Sequence, residues 1–453
     1  EKEWGTAAYQ LMQQLKQLFD PDQLLNPGVV INPDAESHVK NLKPLPATHE
    51  LVDKCIECGF CEPVCPSRNL SFTPRQRIVG RREISRQMAA NAPPDAVKKL
   101  LKSYRYPGKE TCAADGLCAT QCPVGIDTGK MVKALREEAN GDLANLVADW
   151  VARNFKGVAG TINKTLTGVD KIHQLTGTRF MEKASASART LSGNQLPLWN
   201  REMPSGVEKI RPEQNNPDNP LRIIYFPACP SRCMSGPARG EAEREALPQK
   251  TAALLKKAGY QILYPDELGK LCCGQAFESK GFFKQADDKS AELNRALLKI
   301  SREGDIPILC DTSPCLMRMK DKLDKKLKLY EPIEFVLDFL QDKLTFTPLP
   351  QKIALHVTCS ARKMELTDKF VRLAQACADE VVVPDEIFCC GFAGDRGFNY
   401  PELNESALAG LKNQLQGCEA GYSTSKTCEI GLSLHGEIPY RSILYLVDAA
   451  TEP

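Results

Sequence analysis

The sequence predicts an α+β multidomain chain in which a helical, cysteine-rich part is followed by a duplicated α/β part. Three observations carry that expectation. Nineteen cysteines stand in 453 residues, grouped at short fixed spacings. After residue 221 one order of landmarks occurs twice: a strand ending in Cys, a helix, a strand with Pro-Asp-Glu, then Cys-Cys-Gly. The length suits about three domains at about 150 residues each.

Residues 1–35 open with an amphipathic helix pattern, in which Leu11, Leu15, Leu18 and Phe19 recur at helical spacing. FDPDQLLNPGVVINPD stops it, because three prolines and a glycine do not continue a helix. The chain starts without Met and within that pattern, so it is expected to be cut from a longer one. Residues 36–190 form the next expected domain. A polar connection (36–50) leads into seven cysteines at 51–145, separated by helical stretches such as RQRIVGRREISRQMAA and TGKMVKALREEAN. Residues 146–190 read as helical and polar-faced. Residues 191–220 are rich in Pro, Asn and Gly and read as an interdomain linker.

The duplication follows, with repeats at 221–350 and 351–453. LRIIYFPAC, TAALLKKAG, QILYPDE and LCCG in the first copy match QKIALHVTC, FVRLAQACA, EVVVPDE and FCCG in the second. Each copy ends in a Thr-Ser…Cys element, TSPC at 312–315 and TSKTC at 424–428. Alternating strand and helix predicts parallel βαβ units in two half-domains facing each other.

A formal net charge of +2 excludes nucleic-acid binding by bulk charge. No apolar run reaches the ~18 residues of a membrane span, and the start has no secretory cleavage pattern. An odd number of clustered cysteines in such a chain points to thiolates bound to metal in a reducing compartment, not to disulfides. The expected location is the cytoplasm, at most peripheral on the inner face of the membrane.

CIECGFCEPVCPS places Cys55, Cys58, Cys61 and Cys65 at C-x2-C-x2-C-x3-C-P. This spacing wraps a loop round one [4Fe–4S] cubane so that three thiolates reach three irons. The fourth Cys, before Pro66, points to a second cluster. A zinc knot would instead use two pairs of ligands. TCAADGLCATQCPVGI supplies Cys112, Cys118 and Cys122, with Asp115 where a further Cys would complete the motif. Crossed ligation gives Cys55, Cys58, Cys61 and Cys122 to cluster one, and Cys112, Cys118 and Cys65 to cluster two. Asp115 either ligates the fourth iron of a second [4Fe–4S] cluster or leaves a [3Fe–4S] cluster. Standing before Gly116, it also reads as a plain turn residue.

The C-x5-C-x3-C-P register after a complete first motif resembles the alpha-helical ferredoxin domain of the succinate dehydrogenase iron–sulfur subunit. In that family the shortened motif holds a three-iron cluster. Arg75, Arg77, Arg81 and Arg82 follow the first motif and read either as a solvated helix face or as charges that raise a cluster's potential or anchor a partner.

The repeats contain Cys229, Cys233, Cys272, Cys273, Cys310 and Cys315, then Cys359, Cys389, Cys390 and Cys428. Vicinal thiolates in a tight turn can bridge a metal centre, with the glycine letting the backbone pass close to it. All of these except Cys233 are candidate ligands, with buried free thiols as the plainer reading. The second copy lacks a counterpart to one of Cys310 and Cys315. Cys377 and Cys418 fall within helical patterns and read as core. His356, on a strand before Cys359, reads as a core histidine or as a group that tunes or ligates a centre. The repeats resemble the CCG domains of heterodisulfide reductases and of several membrane-linked oxidoreductases. That resemblance implies a further iron–sulfur cluster or zinc in each copy.

No nucleophile–base arrangement, Walker loop or G-x-G-x-x-G turn is present, so no catalytic residue is named. MQQLKQLFDPDQLLNPGVVIN resembles the C-terminal end of FAD-linked oxidases of the vanillyl-alcohol-oxidase type, which implies that Asn26 neighbours the flavin and that FAD sits in an upstream domain. The three segments in this order resemble the C-terminal half of bacterial FAD- and iron–sulfur-containing D-2-hydroxyacid dehydrogenases. The resemblance implies D-2-hydroxyglutarate or D-lactate as substrate and a quinone or carrier protein as acceptor. The alternatives are a separate iron–sulfur subunit, as in glycolate oxidase or glycerol-3-phosphate dehydrogenase complexes, and a thiol–disulfide enzyme of the heterodisulfide reductase kind.

Overall fold

The computed structural model describes residues 1–29, 31–40, 42–43, 45–193, 196–210, 219–236 and 243–453. Contacts divide the chain into Glu1–Ala47 and Thr48–Pro453.

In the first unit the expected helix is Gly5–Phe19, and it buries no residue. Leu11, Leu15, Leu18 and Phe19 are exposed. Asp20 turns the chain: its carboxylate accepts from the N–H groups of Leu24 (2.8 Å) and Leu25 (3.0 Å) and pairs with Lys16. Lys16 holds that carboxyl below its usual range. Asn26 and Gly28 follow at positive φ, in the left-handed region that Asn and Gly tolerate.

The second unit begins with the cysteine loops and their helices. Helix Pro74–Ala89 starts where the sequence signals a start. Thr73 and Gln76 form a reciprocal capping box, and Pro74 at the first position gives up no hydrogen bond. Its Ile78 and Ile84 join Val52, Tyr104, Met131, Val132 and Leu135 in one core. Helix Thr128–Glu138 is capped by the Asp127 side chain. The helices Asp142–Arg153, Phe155–Thr176 and Thr178–Leu191 bury only Ala148, Asp170, His173 and Met181.

Two parallel four-stranded sheets carry the duplication. The first contains β1 (Arg222–Phe226), β2 (Gln261–Leu263), β3 (Ile308–Cys310) and β4 (Leu329–Tyr330), in the order β2-β1-β3-β4. After the short strand β5 (Thr345–Phe346), the second contains β6 (Leu349–Leu355), β7 (Ala378–Val382), β8 (Ala420–Ser423) and β9 (Tyr440–Ser442), in the order β7-β6-β8-β9. β10 (Thr451–Glu452) pairs antiparallel with β5. The two sheets have the same order, so the duplicated sequence gives a duplicated topology, each copy with a third and a fourth strand that the landmarks did not mark. The chain is α+β. Ile223, Tyr225 and Leu309 of the first sheet share one core with Ile353, Leu355 and Tyr422 of the second.

Cys377 ends helix Thr367–Cys377 and is fully buried. Cys418 is also buried, but in the turn before β8 and not in a helix. Residues 194–195 and 211–218 of the expected linker lie outside the described residues. The stretch between them is packed. Met203 and Val207 are buried, Met203 lies in a core with Ala354 and Phe392, and the Leu198 N–H donates to the Phe398 carbonyl at 3.0 Å.

Candidate metal centres

Cys55, Cys58, Cys61 and Cys122 line one recess. These are the four residues that crossed ligation assigns to cluster one. Ile56, Ile78, Val124 and Ile126 supply apolar walls. Burial pushes the Cys61 thiol up to about 11 and raises Cys55. A metal would reverse this, because coordination deprotonates a thiol outright. Four thiols around an apolar recess are a donor set that fits an iron–sulfur cluster.

Cys65, Cys112, Cys118 and Asp115 come together deeper in the unit. All three thiols are buried, and Cys118 is raised by burial and by Asp127, Asp115 and Cys112. Asp115 uses Oδ1 as a turn residue, accepting from the Leu117 N–H at 3.1 Å. Its Oδ2 is buried and lacks a hydrogen bond of regular geometry. Burial raises the carboxyl, against the Cys389 thiol within hydrogen-bond reach and the Leu117 N–H. The turn reading accounts for one oxygen and leaves the other aimed among thiols.

The arginine run does not form one solvated face. Arg77 is buried. It donates to Cys65 Sγ (3.6 Å), Ser67 Oγ (2.8 Å) and the Thr111 carbonyl (3.2 Å). Arg82 is buried against Glu57 (2.8 Å) and donates to the carbonyls of Asp53 and Cys55. Arg75 pairs with Glu62 at 2.9 Å, and Arg81 lies 3.8 Å from Glu138. Helical spacing from Thr73 turns Arg77 and Arg82 toward the loops and leaves Arg75 and Arg81 at the edge.

In each repeat the cysteines gather at the carboxyl ends of the strands, where the sheet order reverses between β1 and β3, or β6 and β8. That crevice is the usual ligand site of open α/β sheets. In the first, Cys272 is in hydrogen-bond contact with Cys229 and Cys273, and Cys273 with Cys315. Cys310 is buried beside Cys315. In the second, the Sγ atoms of Cys390 and Cys428 lie 2.9 Å apart, and Cys389 contacts Cys359 and Cys390. Each set favours one thiolate held by its neighbours. Cys272 is lowered by Cys229 and Cys273, and Cys390 by Cys389 and Cys428, while the donors are raised. Among the described residues no three Cys, His, Asp or Glu side chains form a ready-made single-ion site. The soft, buried, clustered donors fit a metal or cluster held by several thiolates.

The glycine after each Cys pair brings its N–H to a cysteine sulfur, Gly274 to Cys272 at 3.3 Å and Gly391 to Cys389 at 3.4 Å, and it has a second reason besides. Gly274 has φ +88°, and a Cβ there would meet the Ala286 carbonyl oxygen at 2.3 Å; at Gly391 (φ +70°) it would meet the Leu403 carbonyl oxygen at 2.6 Å. The close approach is to the following helix. Sequence reasoning also passed over an arginine three residues after the first Cys of each copy. Arg232 lowers Cys272 and donates to the Leu271 carbonyl at 2.6 Å, while Arg362 donates to the Val357 carbonyl at 3.2 Å and is itself lowered by burial against Cys359 and Cys389. The repeated C-x2-R was the available signal. His356 is buried with Nε2 unpartnered, next to Cys390, and burial pushes it down to about 4. Asn26 lies in the Glu1–Ala47 unit, which contains no cysteine.

The cysteine loops and the repeats are one packed body. Val64, Leu117 and Cys389 share a small core, and Lys363 Nζ reaches the Asp115 carbonyl at 3.4 Å. Arg136 donates to the Cys112 carbonyl (2.8 Å) and to the Ser279 carbonyl of the first repeat (2.6 Å). Ser313 and Thr424 join the two repeats through a backbone hydrogen bond of 3.1 Å. No helix among the described residues is long and apolar enough to cross a membrane.

Comparison with known proteins gives three family matches in chain order. The C-terminal domain of FAD linked oxidases matches residues 1–30, the 4Fe-4S dicluster domain 51–126, and the CCG cysteine-rich domain 223–320 and 353–433. One subunit of the anaerobic glycerol-3-phosphate dehydrogenase of Escherichia coli is 26% identical over 201 residues, 40% of this chain and 50% of that protein. The chain thus spans about half the length of that curated relative. The glycolate oxidase iron-sulfur subunit of Escherichia coli is 22% identical over 429 residues, 88% of this chain and 94% of that one. Among solved structures, an aspartate racemase of Picrophilus torridus aligns at a TM-score of 0.25 and 11% identity, over 51% of this chain and 93% of its own, too distant to inform the fold. The chain is an iron–sulfur protein that joins a 4Fe-4S dicluster domain and two CCG domains to a segment matching the end of FAD-linked oxidases.

Proposed function

We propose that this chain is the electron-transfer portion of an FAD-dependent D-2-hydroxyacid dehydrogenase. The observation that carries the reading is the order of segments within one polypeptide: an FAD-oxidase end, then the dicluster domain, then two CCG domains. Iron–sulfur clusters accept and release single electrons, which lets a relay divide the two-electron oxidation of an alcohol. Cys55, Cys58, Cys61 and Cys122 hold the first cluster. Cys65, Cys112 and Cys118 hold the second, with Asp115 Oδ2 on its remaining iron. Arg77 keeps positive charge beside the second set. The thiols of the repeats hold the exit centres, Cys359, Cys389, Cys390 and Cys428 next to the second cluster and Cys229, Cys272, Cys273, Cys310 and Cys315 beyond them. The flavin domain feeds this relay, and a quinone or carrier protein drains it. Asn26 borders the flavin.

The test has two parts. Iron and sulfide analysis with EPR is expected to find roughly seven or eight irons per chain from the dicluster domain alone; clearly fewer, with cluster loss excluded, would end the two-cluster assignment. Mixing the flavin-bearing protein with D-2-hydroxyglutarate or D-lactate is expected to bleach the cluster absorbance. If glycolate or glycerol 3-phosphate bleaches it and neither D-2-hydroxyacid does, the second reading holds. That reading is a subunit of a complex like those of the two Escherichia coli relatives, and the match along 94% of the glycolate oxidase subunit favours it.

A further inference from the structure

A basic cleft opens where the flanks of three cysteine elements meet. It consists of two adjoining cavities, of about 760 Å³ and about 560 Å³, that share Arg105, Glu110, Lys280 and Arg396. The first adds Lys102 and Arg189, and the second adds Lys109 and Arg136. Seven cations therefore face two carboxylates, Glu110 and Asp395, in a chain whose whole formal charge is +2.

Both carboxylates are already committed. Glu110 lies 3.3 Å from Arg396 and 3.6 Å from Arg105, and Asp395 pairs with Lys280. Arg136 and Arg189 are held by neutral groups. Arg136 donates to the carbonyls of Lys109, Cys112 and Ser279, and Arg189 to those of Leu196 and Asn399. Among the described residues no carboxylate forms an ion pair with Lys102, Lys109, Arg136 or Arg189. The crowding is felt: burial pushes Lys109 down, Glu110 acts against that, and Arg105, Arg136 and Arg396 add to it. An unpaired excess of recessed positive charge raises the local concentration of anions and is relieved by binding one.

The geometry also limits what enters. Arg136 is almost fully buried at the floor and the Arg396 side chain is 14% exposed, while Lys102, Arg105 and Lys280 stand exposed at the rim, so only a small anion reaches both sets of charge. Tyr106 and Tyr400, with ring centroids 6.2 Å apart, and Phe282 flank the cations with aromatic surface. We propose that this cleft binds a small multivalent organic oxyanion, a polycarboxylate or a phosphorylated metabolite. The site adjoins the cysteine elements: Lys109 stands three residues before Cys112, Lys280 seven after Cys273 and Arg396 six after Cys390. It is independent of which hydroxyacid the enzyme oxidises.

The test is calorimetric titration of the cluster-loaded chain with citrate, with pyrophosphate and with acetate. Saturable binding of citrate or pyrophosphate but not acetate is expected, weakening with added salt. Citrate alone would identify a polycarboxylate site, and pyrophosphate alone a phosphate site. The double variant Lys102→Gln/Lys109→Gln, and separately the exposed Arg105→Gln, should weaken binding about tenfold or more, while Lys171→Gln on a remote helix leaves it unchanged. Wild-type affinity in both cleft variants would overturn the proposal, as would the absence of saturable binding of either small anion. Binding of polyglutamate with no binding of the small anions would assign the cleft to an acidic protein and overturn it too.

Discussion

The Asp115 carboxyl lies within hydrogen-bond reach of the Cys389 thiol, so the acid of the second cluster motif meets the Cys-Cys-Gly turn of the second repeat. The contact is dry, since Asp115 Oδ2 is buried and Val64, Leu117 and Cys389 pack together beside it. Two segments more than 270 residues apart in sequence thus place their sulfur sets side by side.

Asp115 decides the nuclearity of the second centre if its free oxygen binds iron. Asp115→Asn removes the anionic donor while keeping the turn bond to Leu117. It is expected to give a strong EPR signal from an oxidised three-iron cluster as isolated, and Asp115→Cys to suppress it. An equally strong three-iron signal in the unaltered protein would remove Asp115 from the ligand set.

Arg77 ties the second set to its helix through Cys65, Ser67 and Thr111. Its charge is buried, and Arg77→Gln leaves those partners without the guanidinium, an effect of roughly 1–3 kcal/mol on stability. Lysine cannot reproduce the fork, so Arg77→Lys should recover only part of it. Denaturant titration checks the stability. EPR should show the second centre lost or shifted with the first retained, whereas a uniform loss of both would make Arg77 a general structural residue.

Two glycines predict opposite signs. Gly274→Ala forces a Cβ to 2.3 Å from a backbone oxygen at φ +88°, and a loss of about 3 kcal/mol or more is expected. Gly160, inside helix Phe155–Thr176, has nothing within 4 Å of an added Cβ. Gly160→Ala should stabilise by roughly 0.5–1 kcal/mol through helix propensity. Thermal melts of the pair measure the contrast.

Glu331 makes stability fall as pH rises. Burial pushes its carboxyl up to about 7, although Ser313 Oγ (2.6 Å) and the Ile333 N–H (2.6 Å) donate to it. A carboxyl raised above its unfolded value stays protonated in the folded state while the unfolded chain ionises. Its stabilising contribution is full below about pH 4.5 and is lost as pH rises through about 7, a change of up to about 3 kcal/mol. Glu331→Gln should flatten that window in urea titrations across pH 5 to 8. An unchanged slope would place the dependence on other groups.

The sequence by itself determined the chemistry of the chain. Cysteine spacing within one loop is local, so C-x2-C-x2-C-x3-C-P and the shortened second motif marked their candidate ligands before any fold was known. The duplicated landmarks likewise foretold two α/β copies, because strand and helix periodicity are properties of short windows. The tertiary structure decided which distant groups meet. Helical phase from the Thr73 cap buried Arg77 and Arg82 while leaving Arg75 at the edge. Packing of the cysteine loops on both repeats brought Asp115 to Cys389 and gathered Lys102, Lys109, Lys280 and Arg396 round one cleft. Sequence spacing sets only what a few neighbouring residues can reach; contacts between elements hundreds of residues apart follow from how buried surfaces fit, which no local pattern encodes.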